Sequence, residues 1–530
     1  MESGPHVYGC LVCGKFFRGR GSSTPAYTHS VQEGHYIYIH LRNGTFHCLP
    51  DDYEIHDPSL RDISAALHPT FTEANIRDMD TKRDLTRDLF GRRYLPGFVG
   101  LNNLNKTDCI NATVQALAHV PPLRDYFLRN YTGSTTTTTT TPLVMAFGEL
   151  VRKLWSDQRF KSHVDPHILM QTISVASNKR FQIGQQAEAE EFMVWLLDQL
   201  HIGLCGGGRH RKRGRHANKS TSVIHTIFQG KVQVTTRQKK MQLKTNQSNM
   251  NMGDDRAGSD DEEEEQENEL NNKDDHAEQP TFQMEETTID TTFLQLTLDI
   301  PEKPLFRDDE GGLVIPQEPL VNVLKKFDGI SFSDALSKNK STTMHQQKRY
   351  RLLELPQYLI LHLNRFTTNQ YSKEKNPTIV AFPLKNLDLS KYLYQKEPPP
   401  TAEQVKAMSI KELKAVLDNY GQTDLATSIL EKSDLVRVIL DFITTSLPDV
   451  LENKYDLVAN ITHDSPADVG REGKVDPLQE GSYKCHVQHK GTGQWYVMQD
   501  LHVEETMPQL IGISESYVLI FEKKKKITSL

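Results

Sequence analysis

The residues best suited by type to do chemistry lie in "GLNNLNKTDCIN", positions 100–111, where a carboxylate, Asp108, directly precedes a thiol, Cys109. A cysteine at the start of a helix is a common acyl-transfer nucleophile, because the helix N-terminus and a neighbouring imidazole favour the thiolate. A shift of one residue on a helix turns a side chain by about 100° and moves it about 1.5 Å along the axis. If Asp108 faces the working side, the sulfur of Cys109 therefore points elsewhere. Carboxylates also form covalent intermediates, but peptide hydrolysis by carboxylates generally uses a facing pair sharing a proton, and no such partner for Asp108 is evident.

A second chemical cluster opens the chain. Cys10 and Cys13 form a C-x-x-C pair, and His29 and His35 follow with five residues between them, so two thiolates and two imidazoles can complete a tetrahedral shell around a structural Zn2+. His40, His47 and Cys48 compete with His35 for the fourth place, and the spacing leaves that place open. Six cysteines in 530 residues are too sparse for a disulfide scaffold.

The elements that must position these groups follow from pattern. Residues 1–57, with runs such as "HYIYIHL", predict a small β-rich module whose thin core needs a metal. Residues 58–93 read as a linker. From 94 to 204 apolar residues recur at helical spacing, as in "INATVQALAHVPPLRDYFL" and "EAEEFMVWLLDQLH", with a Thr run at 135–141 as a loop. Residues 205–280 run from the basic "RHRKRGRHANK" to a tract holding ten Asp or Glu between 254 and 269, and read as a disordered insert. Strand patterns then dominate, from "TTFLQLTLDIP" through "RLLELPQYLILHLNRF", "YDLVANITHD", "SYKCHVQHK" and "WYVMQDL" to "SYVLIFEKK". Helices first and a sheet afterwards predict an α+β domain over 94–527. A second insert, 397–450, contains a Ser409–Glu412 capping box and two helices that look like the SAP-type fold. A helical pair packed on its host or offered to another protein carries more weight there than DNA contact, since the stretch is not clearly basic.

Composition narrows the class. The net charge of −7 is mild and 37% of residues are hydrophobic, enough for real cores. No run of about 18 apolar residues and no basic-then-apolar leader is present, so neither membrane insertion nor export is expected. The run 209–219 reads either as a nuclear-localisation or RNA-contact segment or as a solvated loop.

Residues 100–115 resemble the cysteine box of the ubiquitin-specific proteases, G-L-x-N-L-G-N-T-C-Y-x-N-x-x-x-Q. Gly100, Leu101, Asn103, Leu104, Thr107, Asn111 and Gln115 match, and the catalytic cysteine falls on Asp108. In "EGSYKCHVQHK" the family's G-H-Y histidine position holds Ser482, between the matching Gly481 and Tyr483. Asp500 takes the place of the third, orienting residue, and Asn103 that of the oxyanion-stabilising residue. His486 shares a strand face with Ser482 but lies some 13 Å along at about 3.3 Å per residue, too far to replace it. "QAEAEEFMVWLLDQLH", "TIFQGKVQV", "LPQYLILHLNRF" and "YVLIFEKK" resemble further family boxes. The two C-x-x-C pairs that bind zinc in the fingers of many active members are missing, and Cys205 and Cys485 cannot replace them.

"CLVCGKFF", "HSVQEGH" and "FHCLPDDYEI" are similar to the ubiquitin-protease-type zinc finger, which usually has more residues upstream, so the resemblance implies a shortened module. Together with "YLPGFVGLNN", Asp108 and "GSY", they look like the branch of the family that serves pre-mRNA splicing in the spliceosomal tri-snRNP and is regarded as catalytically inactive. The resemblance thus implies a papain-like domain with two inserts behind a Zn2+ finger, in a nuclear scaffold that binds tri-snRNP proteins and reaches snRNA or pre-mRNA indirectly. Two readings compete with it: an active thiol-dependent ubiquitin hydrolase using Cys109, and a receptor that binds ubiquitin without cleaving it.

Overall fold

A computed structural model describes residues 6–41, 43–81, 83–129, 141–206, 221–241, 282–302, 306–307, 313–339, 342–368, 373–394, 400–419, 431–442, 453–465 and 476–524. Among these residues no helix is long and apolar enough to cross a membrane.

One eight-stranded sheet organises the main body. Its spatial order is Gln295–Asp299, Tyr358–Asn364, Ser516–Lys523, Lys454–Asp464, Ser482–Gln488, Trp495–Gln499 and His502–Thr506, with Leu387–Asp388 also paired to Lys454–Asp464. The first two strands are parallel and the rest antiparallel. The pleat sends Tyr358 and Ile360 into one core and Leu359, Leu361 and Leu363 into another, which is why "YLILHL" reads as an unbroken apolar run. Strand Ser516–Lys523 divides in the same way, with Val518 and Ile520 on one side and Leu519 and Phe521 on the other.

The helices expected from 94 to 204 are present on the first of these faces. Helix Asp108–Ala118 is buried on every side and packs against Ser482–Gln488, and helix Ala189–Leu204 packs on it through Phe192, Met193 and Leu196. "HVPP" ends the first of them and starts the next, Pro121–Arg129, because proline donates no amide and fits the first turn of a new helix. A separate four-stranded sheet is built from Ser333–Asn339, Thr342–Glu354, Gly230–Met241 and Phe282–Phe293. The N-terminal module is a five-stranded antiparallel sheet carrying helix Pro25–Glu33.

Two boundaries need correction. Residues 58–93 are not a plain linker: they form helices Arg61–Leu67 and Glu73–Asp78 and a short hairpin, Ile76, Phe71 and Met79 enter the main core, and Asp80 pairs with the buried Arg124 at 2.8 Å. The insert at 205–280 is also too wide, since helix Val223–Phe228 buries Ile224, Ile227 and Phe228 and strand Gly230–Met241 belongs to the four-stranded sheet. Its basic run 209–219, its acidic tract and the greater part of the Thr run lie outside the described residues. In 397–450, helices Ala402–Ala407, Ile410–Asn419 and Lys432–Asp441 share a small core of Val405, Leu413, Leu417, Leu435 and Ile439. Ser409 and Glu412 exchange the two capping bonds.

Candidate functional site

Asp108 opens its helix at 6% exposure, and its carboxylate is spent inside the protein. Oδ2 accepts from the Tyr483 amide at 2.8 Å and from Gln186 Nε2 at 3.3 Å, tying the helix to strand Ser482–Gln488 and to the loop that leads into helix Ala189–Leu204. Around it the cysteine-box loop is clamped. Asp500 accepts from Asn103 Nδ2 at 2.9 Å and from Asn111 Nδ2 at 2.8 Å, while Asn103 Oδ1 accepts from the Thr107 amide and hydroxyl, both at 3.2 Å. The Leu101 amide bonds the Asp500 carbonyl at 2.9 Å. Gly100 is required by this approach, because a Cβ there would lie 2.6 Å from Leu501 Cα.

Burial pushes the Asp108 carboxyl above its ordinary pKa; the Tyr483 and Gln186 bonds oppose the shift, and the Asp500 charge adds to it. An acid raised on folding holds its proton more tightly in the folded state. Its ionisation therefore subtracts from stability near neutral pH, and the loss fades as pH falls through the folded value. Asp108→Asn keeps an oxygen acceptor and removes the charge, so its urea midpoint should exceed that of the wild type at about pH 7 and converge with it near pH 4. Asp108→Ala leaves the Tyr483 amide buried without an acceptor and should cost about 1–3 kcal/mol. An Asn variant no more stable than wild type at neutral pH would contradict this account of the carboxylate.

Cys109 is fully buried in the main core, and burial followed by the Asp108 charge pushes its thiol far above the usual range. Ser482 accepts from Gln499 Nε2 at 3.3 Å. His486, in register with Asn460 and Val497, is also buried, which lowers its pKa to about 4. The imidazole beneath the Ser482 strand is His463, fully buried between Phe366 and Tyr483, with ring centroids 5.1 and 4.7 Å away. Burial and then the Lys375 charge lower its pKa to about 3, which keeps it neutral. A Cβ on Gly481 would sit 2.1 Å from the His463 ring, so the glycine of "GSY" serves this contact.

In the N-terminal module Cys10, Cys13, His29 and His35 converge, with ligand atoms all within 4.8 Å of one another. Cys10 Sγ lies 3.6 Å from His35 Nδ1, Cys13 Sγ 3.3 Å from His29 Nε2, and the two nitrogens are 3.2 Å apart. Zinc–sulfur and zinc–nitrogen bonds of about 2.3 and 2.05 Å at tetrahedral angles give edges of about 3.5 and 3.3 Å, so the donor set fits that ion. Of the competitors for the fourth place, His40 Nδ1 accepts the Asn43 amide and His47 bonds Arg20 and Thr45, and none of His40, His47 and Cys48 joins the converging set.

The profile described as "Ubiquitin carboxyl-terminal hydrolase" matches residues 99–521, and that described as "Zn-finger in ubiquitin-hydrolases and other protein" matches 2–60. The chain belongs to the ubiquitin carboxyl-terminal hydrolase family. Among its relatives in that family, Ubiquitin carboxyl-terminal hydrolase 39 of Homo sapiens is 38% identical over 98% of this chain and 75% of its own length. Probable mRNA-splicing protein ubp10 of Schizosaccharomyces pombe is 31% identical over 98% and 83%, and Pre-mRNA-splicing factor SAD1 of Saccharomyces cerevisiae 26% over 71% and 69%. The crystal structure of an essential yeast splicing factor shares the fold at a TM-score of 0.60 and 20% identity, covering 98% of this chain and 93% of that one.

Against the hydrolase cysteine box, the sequence pointed to Asp108, Ser482, Asp500 and Asn103, and the structure brings the loop of Asn103 and Asp108 against the strand of Ser482 and the turn of Asp500. Gln186, Asn111 and His463 were missed as members of the cluster. Asn111 matched the cysteine box and His463 ends "YDLVANITH", but neither position reveals its contact across the fold, the bond of Asn111 to Asp500 or the packing of the His463 ring on Phe366 and Tyr483.

Proposed function

We propose that this chain is a non-catalytic assembly factor of the spliceosomal tri-snRNP, acting in the nucleus in pre-mRNA splicing and using the ubiquitin-hydrolase fold as a rigid protein-binding body. The observation that carries the absence of chemistry is the fate of Asp108. The position of the nucleophile holds a carboxylate bonded to the Tyr483 amide and Gln186, while the neighbouring thiol of Cys109 is sealed in the core. The position of the base holds Ser482, and the nearest imidazole along the paired strand, His463, is buried and neutral. The splicing role is supported by the relatives named as splicing proteins, which align over most of this chain. Zinc is assigned to Cys10, Cys13, His29 and His35, where four protein ligands leave no open position, so the ion supplies fold and not catalysis.

The test is direct. Ubiquitin carrying an electrophilic C-terminus should form no adduct with the wild type or with Cys109→Ala, under conditions that saturate an active ubiquitin-specific protease. An adduct that disappears in Cys109→Ala would restore the enzyme reading. Titration with unmodified ubiquitin separates the receptor reading, which requires saturable binding without turnover. Depleting the chain from nuclear extract should lower tri-snRNP entry into spliceosomes, and Cys109→Ala protein should restore it as well as the wild type does.

A further inference from the structure

The segment 61–98 lies between the two family matches, and its described residues build a cleft of about 320 Å3 against the main body. That volume is at the lower end of ligand-binding clefts. Phe71, Met79, Leu95 and Trp155 give an apolar lining, and Asp78, Asp84 and Asp157 add three carboxylates. Asp108, Ser482 and Asp500 are not among its walls, so it is separate from the degenerate catalytic cluster. His489 also lines the cleft, with Nδ1 bonded to the Thr492 hydroxyl, and of the described arginines next to it in sequence, Arg83 pairs with Glu505, Arg77 bonds the Glu73 carbonyl, and Arg159 bonds the Ser156 carbonyl beneath the Tyr94 ring. Among the described residues neither Asp84 nor Asp157 enters an ion pair.

We propose that this cleft receives one arginine or lysine side chain from an extended segment of a partner protein. The apolar walls suit the methylene stem of such a residue and the carboxylates of Asp84 and Asp157 its charged head, whereas an acidic or purely apolar occupant would leave those two charges uncompensated. The hairpin that contributes Thr86, two residues after Asp84, also displays Leu89 and Phe90 at its turn, 73% and 71% exposed. Those apolar anchors beside a charged pocket suit a protein partner. The proposal stands apart from the absence of catalysis and would survive an active Cys109.

The test uses the full chain and fluorescein-labelled peptides Gly-Leu-X-Leu-Gly, with X as Arg, norleucine or Glu, read by anisotropy. The Arg peptide should saturate, bind about tenfold more tightly than the other two, and weaken with salt. Asp84→Asn combined with Asp157→Asn, both at exposed positions, should weaken the Arg peptide about tenfold and leave norleucine unchanged. Ala74→Trp, which fills the cleft from helix Glu73–Asp78, should abolish binding with an unchanged melting temperature. The proposal is overturned by an Arg peptide that does not saturate, by equal binding of norleucine, or by indifference to the double Asn variant. Self-association that Ala74→Trp removes would assign the cleft to a second copy of this chain and overturn it as well.

Discussion

Removing the metal ligands should release the N-terminal module while leaving the main body folded. In the full chain, Cys10→Ser or a strong zinc chelator is expected to make amides across residues 7–48 exchange at near-unfolded rates, with protection in helix Asp108–Ala118 unchanged. The module's own core consists of Tyr8, Cys10, Ala26, Tyr38 and Leu49, flanked by Phe17. Five buried side chains are a thin core for a module of this size. A structural zinc in a finger peptide contributes on the order of 10–16 kcal/mol at neutral pH, so its loss decides whether this module folds. Native mass spectrometry should find one zinc per chain, lost in Cys10→Ser and retained in His47→Ala, whose side chain bonds Arg20 and Thr45 instead. Persistent protection after chelation would mean that the sheet stands without the ion and that the four-ligand reading is wrong.

The contrast between that site and the rest shows what a sequence makes legible. Cys10 and Cys13 announce themselves by spacing, because a knuckle brings residues three apart to one ion. The choice of His35 over His40, His47 and Cys48 depends on where helix Pro25–Glu33 ends and the strand Ile37–His40 begins, so only the fold separates them. Asp108 stands out by its place in a motif, but its partners come from 78 and 375 positions away, and no local periodicity encodes such pairings. The misreading of 58–93 has the same origin. Its helices are six or seven residues long, too short for a clear apolar stripe, and its anchor is the pairing of Asp80 with Arg124 across 44 residues. In 205–280 the like-charged flanks dominate the composition and hide Val223–Phe228, whose apolar residues fill the core beside helix Ala189–Leu204. The central strands of the eight-stranded sheet were legible, since burial on both faces writes itself as continuous apolar runs, whereas the polar strand Gly230–Met241 of the four-stranded sheet was not.

Arg365 shows how this fold keeps its central sheet rigid. Its side chain is fully buried at the end of strand Tyr358–Asn364. Nε donates to the Ser516 carbonyl at 2.5 Å, and Nη1 to the carbonyls of Thr378 at 2.7 Å and Asn376 at 3.0 Å, so one planar cation joins three segments around the central sheet. Burial lowers its pKa to about 10, which still leaves it charged at neutral pH. Arg365→Ala orphans two buried carbonyls and the half-buried one of Asn376 and opens a cavity, and should cost about 3–5 kcal/mol in urea unfolding of the main body. Arg365→Lys should recover only part of this, because an ammonium cannot reproduce the fork that reaches three acceptors at once. Arg365→Met separates the two contributions by filling the space without donating: a cost near that of Lys would show that packing matters most, and a cost near that of Ala that the bonds do. Since Ser516 begins the strand that pairs with Lys454–Asp464, the Ala variant should also loosen the backbone around His463 and Gly481, read as faster amide exchange at 460–464 than in the Met variant. A loss below about 1 kcal/mol in Arg365→Ala would mean that the three carbonyls find water and that this arginine does not fix the sheet.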